Sequence, residues 1–264
     1  MRPGHYRTYS SDTEDFWCCT DTGMESHAKY GEFIYARSGN RLWVDLLIPS
    51  ELDWAEQGVK LRLDTSFPED GKATLTIWAK KPRKLEIAVR CPSWLKPGAM
   101  RLTVNGSLEA AETRPGSYAV VERIWKTGDR IEVEWPLMLR TEMLPRSQEW
   151  ISVLWGPIVL AGELGTAGLE GLDFSGTHNY VATQGLPLEA APVFIGNAKD
   201  VTTKVRPVNG RPLAFRTAGL ALPTDVSLAP FYRVHRQRYA VYWRLMDRAT
   251  YDAERRNDAP TDGK

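Results

Sequence analysis

The sequence predicts a mostly β protein, with one helix near the N-terminus followed by two antiparallel β-sandwich units. Three observations carry that expectation. Beyond residue 39, short runs of alternating apolar and polar residues recur, with Gly, Pro and Asn-Gly turns between them. A helical period occurs once, between residues 23 and 37. The 264 residues include ten Trp and ten Tyr, residue types that suit a pleated, half-buried surface.

Composition narrows the function classes. Hydrophobic residues make up 42% and charged residues 25%, as in a globular chain with a good core. Thirty-four basic against 33 acidic side chains give a net charge of +1, so nothing argues for nucleic acid or for an acidic solvating tail. No apolar run approaches the roughly 18 residues of a membrane span. Three cysteines, two of them adjacent, are not a disulfide framework. The opening Met1-Arg2-Pro3-Gly4-His5-Tyr6 lacks the apolar stretch of a signal peptide, which leaves the compartment open between cytoplasm and periplasm.

Residues 1–21 read as a loop punctuated by Gly4, Ser10, Ser11 and Asp12. Thr22 and Glu25 have capping-box spacing, which starts a helix near Gly23. Met24, Ala28, Gly31 and Tyr35 then share one face, and Ser38-Gly39-Asn40 ends the helix. Strands follow at Arg41–Ile48, Val59–Asp64, Ala73–Ala79, Leu85–Arg90, Leu102–Val104, Tyr118–Ile124 and Arg130–Trp135, with a hairpin turn at Asn105-Gly106. Pro136 and Pro145 flank the expected domain boundary. Trp150–Leu160 is a strand broken by Gly156-Pro157, and 163–190 is a long loop. Val193–Ile195, Ala214–Arg216 and Tyr239–Trp243 complete the strands. From Asp247 the chain is polar and disorder is expected. The domains are thus residues 1–38, a first sandwich at 39–140, a second at 141–246 and a tail at 247–264.

The chemistry concentrates at Cys18-Cys19. Adjacent cysteines strain any disulfide between them, but in a non-helical backbone both sulfurs can reach one soft ion such as zinc. Lying just before a helix N-terminus, they are also placed to favour thiolate, so a nucleophile is a second option. Burial as two small apolar residues is the third. His27, on the helix, is a candidate ligand or substrate contact, although a lone helical His more often has a structural hydrogen bond. Cys91 precedes Pro92 and reads as part of a turn. Asp21, Glu25 and Glu32 are the carboxylates a glycosidase would draw on, with solvated or capping roles as the ordinary alternative.

Cys18-Cys19-Thr-x-Thr-Gly-Met-Glu-x-His-Ala-Lys-Tyr-Gly-Glu resembles glycoside hydrolase families 127 and 146, the β-L-arabinofuranosidases. Pro92-Ser93-Trp94, Val104-Asn105-Gly106, Trp155-Gly156-Pro157 and Pro230-Phe231-Tyr232-Arg233-Val234-His235 with Tyr239 and Tyr242-Trp243 are similar and occur in family order. The resemblance implies a retaining enzyme in which an (α/α)6 barrel precedes the sandwiches, so residues 1–38 would be the end of that barrel. It implies zinc held by three cysteines and a glutamate, with Cys18 matching the nucleophile and Cys19 a zinc ligand, so that both sulfurs sit at the metal. It also implies an arabinofuranoside or related oligosaccharide as substrate and a thioglycosyl intermediate. The family's acid/base glutamate and remaining ligands precede the paired cysteines, where this chain has 17 residues, no further cysteine and Glu14 alone among glutamates. The chain is therefore expected to be a C-terminal part, inactive without an upstream barrel segment. The competing expectation is a β-sandwich module that binds or buttresses carbohydrate-active partners without catalysis.

Overall fold

Strict alternation builds the inner layer of one unit, Cys18–Leu137. The computed structural model describes residues 4–11, 18–172, 174–175 and 191–257. In this unit, α1 (Cys18–Phe33) leads into β1 (Tyr35–Ser38), β2 (Arg41–Val44), β3 (Ser50–Trp54), β4 (Val59–Thr65), β5 (Lys72–Ala79) and β6 (Arg83–Cys91). Next come β7 (Arg101–Val104), β8 (Ser107–Leu108), β9 (Ser117–Trp125) and β10 (Arg130–Glu134). They form a four-stranded sheet, β1-β2-β6-β9, and a six-stranded sheet, β3-β4-β5-β10-β7-β8.

In β4, Val59, Leu61 and Leu63 are buried while Lys60, Arg62 and Asp64 face solvent. Leu61 lies opposite Ile77 and Leu63 opposite Leu75, so a slip of one residue would turn three charged residues into the core. Trp54, Trp125 and Trp135 fill the space between apolar strands, and two of their indole N–H groups are satisfied. Trp125 Nε1 donates to the Leu85 carbonyl at 3.1 Å, and Trp135 Nε1 to the Arg90 carbonyl at 3.3 Å. Gly71 is dictated by contact, because a Cβ there would stand 2.1 Å from the Trp135 carbonyl oxygen. Asn105 (φ 52°) and Gly106 (φ 80°) make the expected hairpin between β7 and β8.

The other unit comprises Met138–Lys264 and Met1–Trp17. Its elements are β11 (Leu139–Met143), β12 (Trp150–Trp155), β13 (Ile158–Glu163), β14 (Val193–Ile195), α2 (Ala198–Lys204), β15 (Val205–Pro207) and β16 (Phe215–Thr217). They continue with β17 (Ala221–Leu222), β18 (Ser227–Pro230), β19 (Tyr239–Ala240), β20 (Trp243–Met246) and α3 (Arg248–Asn257). The ten strands share one hydrogen-bonded network. Its core centres on Trp243, which stacks on Phe194 with ring centroids 4.4 Å apart. Gly162 faces that indole, and a Cβ would meet Trp243 Cη2 at 2.2 Å.

The architecture is mostly β, as expected, but several elements differ. The helix starts at Cys18 rather than Gly23 and ends at Phe33, and Tyr35–Ser38 is a strand paired with β2. Thr22 and Glu25 therefore form no capping box: Thr22 lies inside the helix and donates its hydroxyl proton to the Cys18 carbonyl at 3.1 Å. The sheets are not purely antiparallel. β2 runs parallel to β6, with β3, β4 and β5 of the other sheet serving as the crossover, and β14 runs parallel to β20. Polarity beyond Asp247 does not bring disorder at Arg248–Asn257, which is helical. Asp247 accepts hydrogen bonds from the Thr250 N–H at 2.7 Å and the Thr250 hydroxyl at 3.0 Å, and Arg248 pairs with Asp252 one turn on. Residues 258–264, like Glu14 and most of the expected 163–190 loop, lie outside the described residues.

Candidate functional site

Cys18 and Cys19 open α1, and the helical backbone brings their sulfurs to 3.9 Å. Both are exposed, so the small-apolar-core reading does not hold for either. Their position within the first turn, rather than before it, changes the electrostatics. The Cys19 thiol is pushed above its ordinary value, first by its hydrogen bond with Cys18 and then by the charge that Cys18 would carry. The two sulfurs thus resist ionising together unless a cation lies between them.

The pair passes a geometric test for zinc. Two thiolates on one tetrahedral zinc, each about 2.3 Å from the metal, are about 3.8 Å apart, close to the observed spacing. It fills two of about four positions, and no group of three or more His, Cys, Asp or Glu suited to a metal occurs among the described residues. Cys91 is excluded as a partner. It ends β6 opposite Ser117, sits in the first unit's core, and burial pushes its thiol up.

His27 donates from Nδ1 to the Gly23 carbonyl at 2.6 Å and packs edge-on against Tyr30. That bond leaves Nε2 as an acceptor, the tautomer in which an imidazole can meet a metal or a sugar hydroxyl. Asp21 lies in the first turn of the helix. Glu32 pairs with Lys29 at 3.1 Å, a solvated contact. Every described side chain of α1 is exposed, including Met24, Tyr30 and Phe33.

A second cluster was invisible to residue-level reading. Residues 4–11, expected as loop, bind along the β19 segment. The Gly4 N–H donates to the Tyr239 carbonyl at 3.0 Å, the Tyr239 N–H to the His5 carbonyl at 2.7 Å, and Arg238 Nη1 to the Gly4 carbonyl at 2.9 Å. The Arg7 guanidinium lies 4.0 Å from the Phe231 ring centroid and donates to the Phe231 carbonyl. His235 Nε2 donates to the Tyr232 carbonyl at 2.8 Å, so in the neutral ring Nδ1 accepts from the Tyr9 hydroxyl. Pro230–His235 and Tyr239 are thus the seat for a segment more than 220 residues away in sequence. The density of aromatic and basic residues in that motif was the available signal.

Residues 41–137 match the family profile "Beta-L-arabinofuranosidase, GH127 middle domain", and residues 140–245 match a "Domain of unknown function". Among solved structures, the chain is similar to a GH127 β-L-arabinofuranosidase from Geobacillus stearothermophilus T6. The TM-score is 0.66 at 17% identity, over 87% of this chain and 37% of that one. It is also similar to a GH127 β-arabinofuranosidase (TM-score 0.60, 19% identity, 87% of this chain and 38% of that one). A third structure, described as a glycoside hydrolase, gives 0.59 at 19% identity, over 90% of this chain and 43% of that one. At these identities the likeness is one of fold, and the chain spans about two fifths of the length of each structure. No curated protein matches the sequence.

Proposed function

We propose, from the premise that this chain carries a GH127 middle domain directly after a helix bearing Cys18-Cys19, that it is the C-terminal part of a retaining glycoside hydrolase. Its substrate class is β-L-arabinofuranosides, or similar sugars, in plant-type glycans. The observation that carries the reading is the sulfur pair, 3.9 Å apart and exposed at the start of a helix that no described element covers. Met24, Tyr30 and Phe33 on that helix are apolar surface suited to packing within a helical barrel, consistent with a catalytic part outside this chain.

In this reading Cys18 Sγ, as thiolate, attacks the anomeric carbon while the glycosidic oxygen leaves and takes a proton from an acid outside this chain. Water then cleaves the thioglycosyl bond, releasing the sugar and returning the thiol sulfur, with retention from the two displacements. Zinc, when held by Cys18 and Cys19 with donors from outside the chain, supplies the positive charge that keeps both sulfurs ionised. Cys19 holds its neighbour's position through the shared backbone, and His27 Nε2 is placed to accept a hydrogen bond from a sugar hydroxyl. The chain alone is expected to be inactive.

The test is metal content. A protein joining this chain to a GH127-type barrel should hold about one zinc per chain and lose it on replacing Cys18 and Cys19 by Ser. Equal zinc in the double variant would refute the assignment. A second reading, a module that binds or buttresses carbohydrate without catalysis, draws support from the two β units having complete cores that do not include α1.

A further inference from the structure

Two Asn-Gly pairs occur in the sequence, Asn105-Gly106 and Asn209-Gly210, and both asparagines are exposed. This dipeptide is chemically labile. The amide nitrogen of the following residue can attack the asparagine side-chain carbonyl carbon, and glycine, having no Cβ, leaves that approach open. Exposure is common to both pairs and cannot separate them. What differs is whether the carboxamide is free to swing over the next peptide nitrogen.

The carboxamide of Asn105 is held at both ends. Its Nδ2 donates to Asp129 Oδ1 at 2.9 Å, and its Oδ1 accepts from the Arg130 N–H at 2.8 Å. Asp129 is itself fixed, because the Lys126 N–H donates to its other oxygen at 2.8 Å. Reaching the Gly106 nitrogen would break both bonds to the carboxamide. Asn209 has no such restraint. It lies in the turn between β15 and β16, where the Arg211 N–H donates to the Val208 carbonyl at 3.2 Å and the Val208 N–H to the Ala214 carbonyl at 2.8 Å. Among the described residues, neither its carboxamide nor the Gly210 N–H makes a hydrogen bond. Gly210 takes the left-handed position of the turn, at φ 71°.

We propose that Asn209 is a site of spontaneous deamidation, and that the tether to Asp129 and Arg130 protects Asn105 from the same reaction. The Gly210 amide nitrogen loses its proton to solvent and bonds to Asn209 Cγ. The Cγ–Nδ2 bond then breaks, and the nitrogen leaves as ammonia with a proton taken from water. A second water opens the resulting succinimide ring at either carbonyl, giving aspartate or isoaspartate. The net change is a water gained and an ammonia lost, about 1 Da in mass with one added negative charge. Neither the paired sulfurs nor a sugar takes part, so this chemistry stands apart from the glycosidase reading.

The experiment is incubation of the full 264-residue chain at about pH 8 and about 37 °C, with peptide mapping by mass spectrometry at intervals. Conversion at Asn209 should run at least about tenfold faster than at Asn105, because a reacting group held out of line slows attack on that scale. In concentrated guanidinium chloride the tether is lost, and the two rates should agree within about threefold. Asp129→Ala releases one end of the Asn105 carboxamide and should raise conversion there at least about threefold, with Asn209 as the internal reference. Equal rates in the folded chain, faster conversion at Asn105, the same difference persisting in denaturant, or no acceleration in Asp129→Ala would each overturn the proposal.

Discussion

At the scale of single residues, the proposed chemistry rests on the adjacent sulfurs of Cys18 and Cys19. Because Cys18 raises the thiol pKa of Cys19 through a hydrogen bond and a like charge, Cys19 in the metal-free chain should be alkylated by iodoacetamide with a midpoint above the ordinary thiol range. Cys18→Ser should bring that midpoint down and speed alkylation near pH 8; mass spectrometry of the labelled peptide reads both. An unchanged Cys19 profile would mean that the sulfurs do not interact. Asp225 gives a contrasting case. Burial works against its charge, yet the Gly219 N–H at 2.7 Å, the Thr217 hydroxyl at 2.7 Å and the Ala221 and Leu220 N–H groups hold its pKa below the usual carboxylate value. A lowered folded-state pKa stabilises the fold above the unfolded value near 4, and that contribution disappears as pH falls through the folded value. Asp225→Ala should therefore cost about 1–3 kcal/mol at pH 7 by chemical denaturation, with a smaller difference at pH 3.

At the scale of elements, Gly162 and α1 make opposite predictions. Gly162 on β13 lies against the Trp243 indole, so Gly162→Ala forces overpacking and should lower stability by about 1–3 kcal/mol. In α1, a 16-residue helix with every described side chain exposed, amides should exchange far faster than those of β4, β5 and β6. Equal protection would show that the helix is held by the first unit itself. These elements also show how much was legible in the sequence. The strands β4, β5, β9 and β10 were readable because one face of each meets a single apolar layer, which writes a period of two into the chain. Arg248–Asn257 was not, because its stability comes from the Asp247 cap and from Arg244, which reaches Glu254 at 2.7 Å from β20. Capping-box spacing is present both at Thr22/Glu25 and at Asn197/Asp200. Only the second is a cap, since Thr22 already lies one turn inside a helix. Residue spacing does not record where the preceding backbone has already turned helical. The closeness of the Cys18 and Cys19 sulfurs follows from their adjacency in the chain, whereas the seat built by Phe231, His235 and Tyr239 for Arg7 and Tyr9 was not legible, because pairing over such a separation leaves no local period.

At the scale of the whole molecule, two β units with their own cores account for most of the buried apolar side chains among the described residues, and Cys18 and Cys19 belong to neither core. That division is what the proposed function requires of a chain spanning about two fifths of the structures it resembles. The account stands most directly on turnover of an aryl β-L-arabinofuranoside by a protein joining this chain to its barrel, compared with the Cys18→Ser variant. Serine keeps the side chain's shape but removes the soft, readily ionised sulfur, so the rate should fall by at least about a thousandfold while both β units melt unchanged. Hydrolysis by the serine variant at the parent rate would contradict the account.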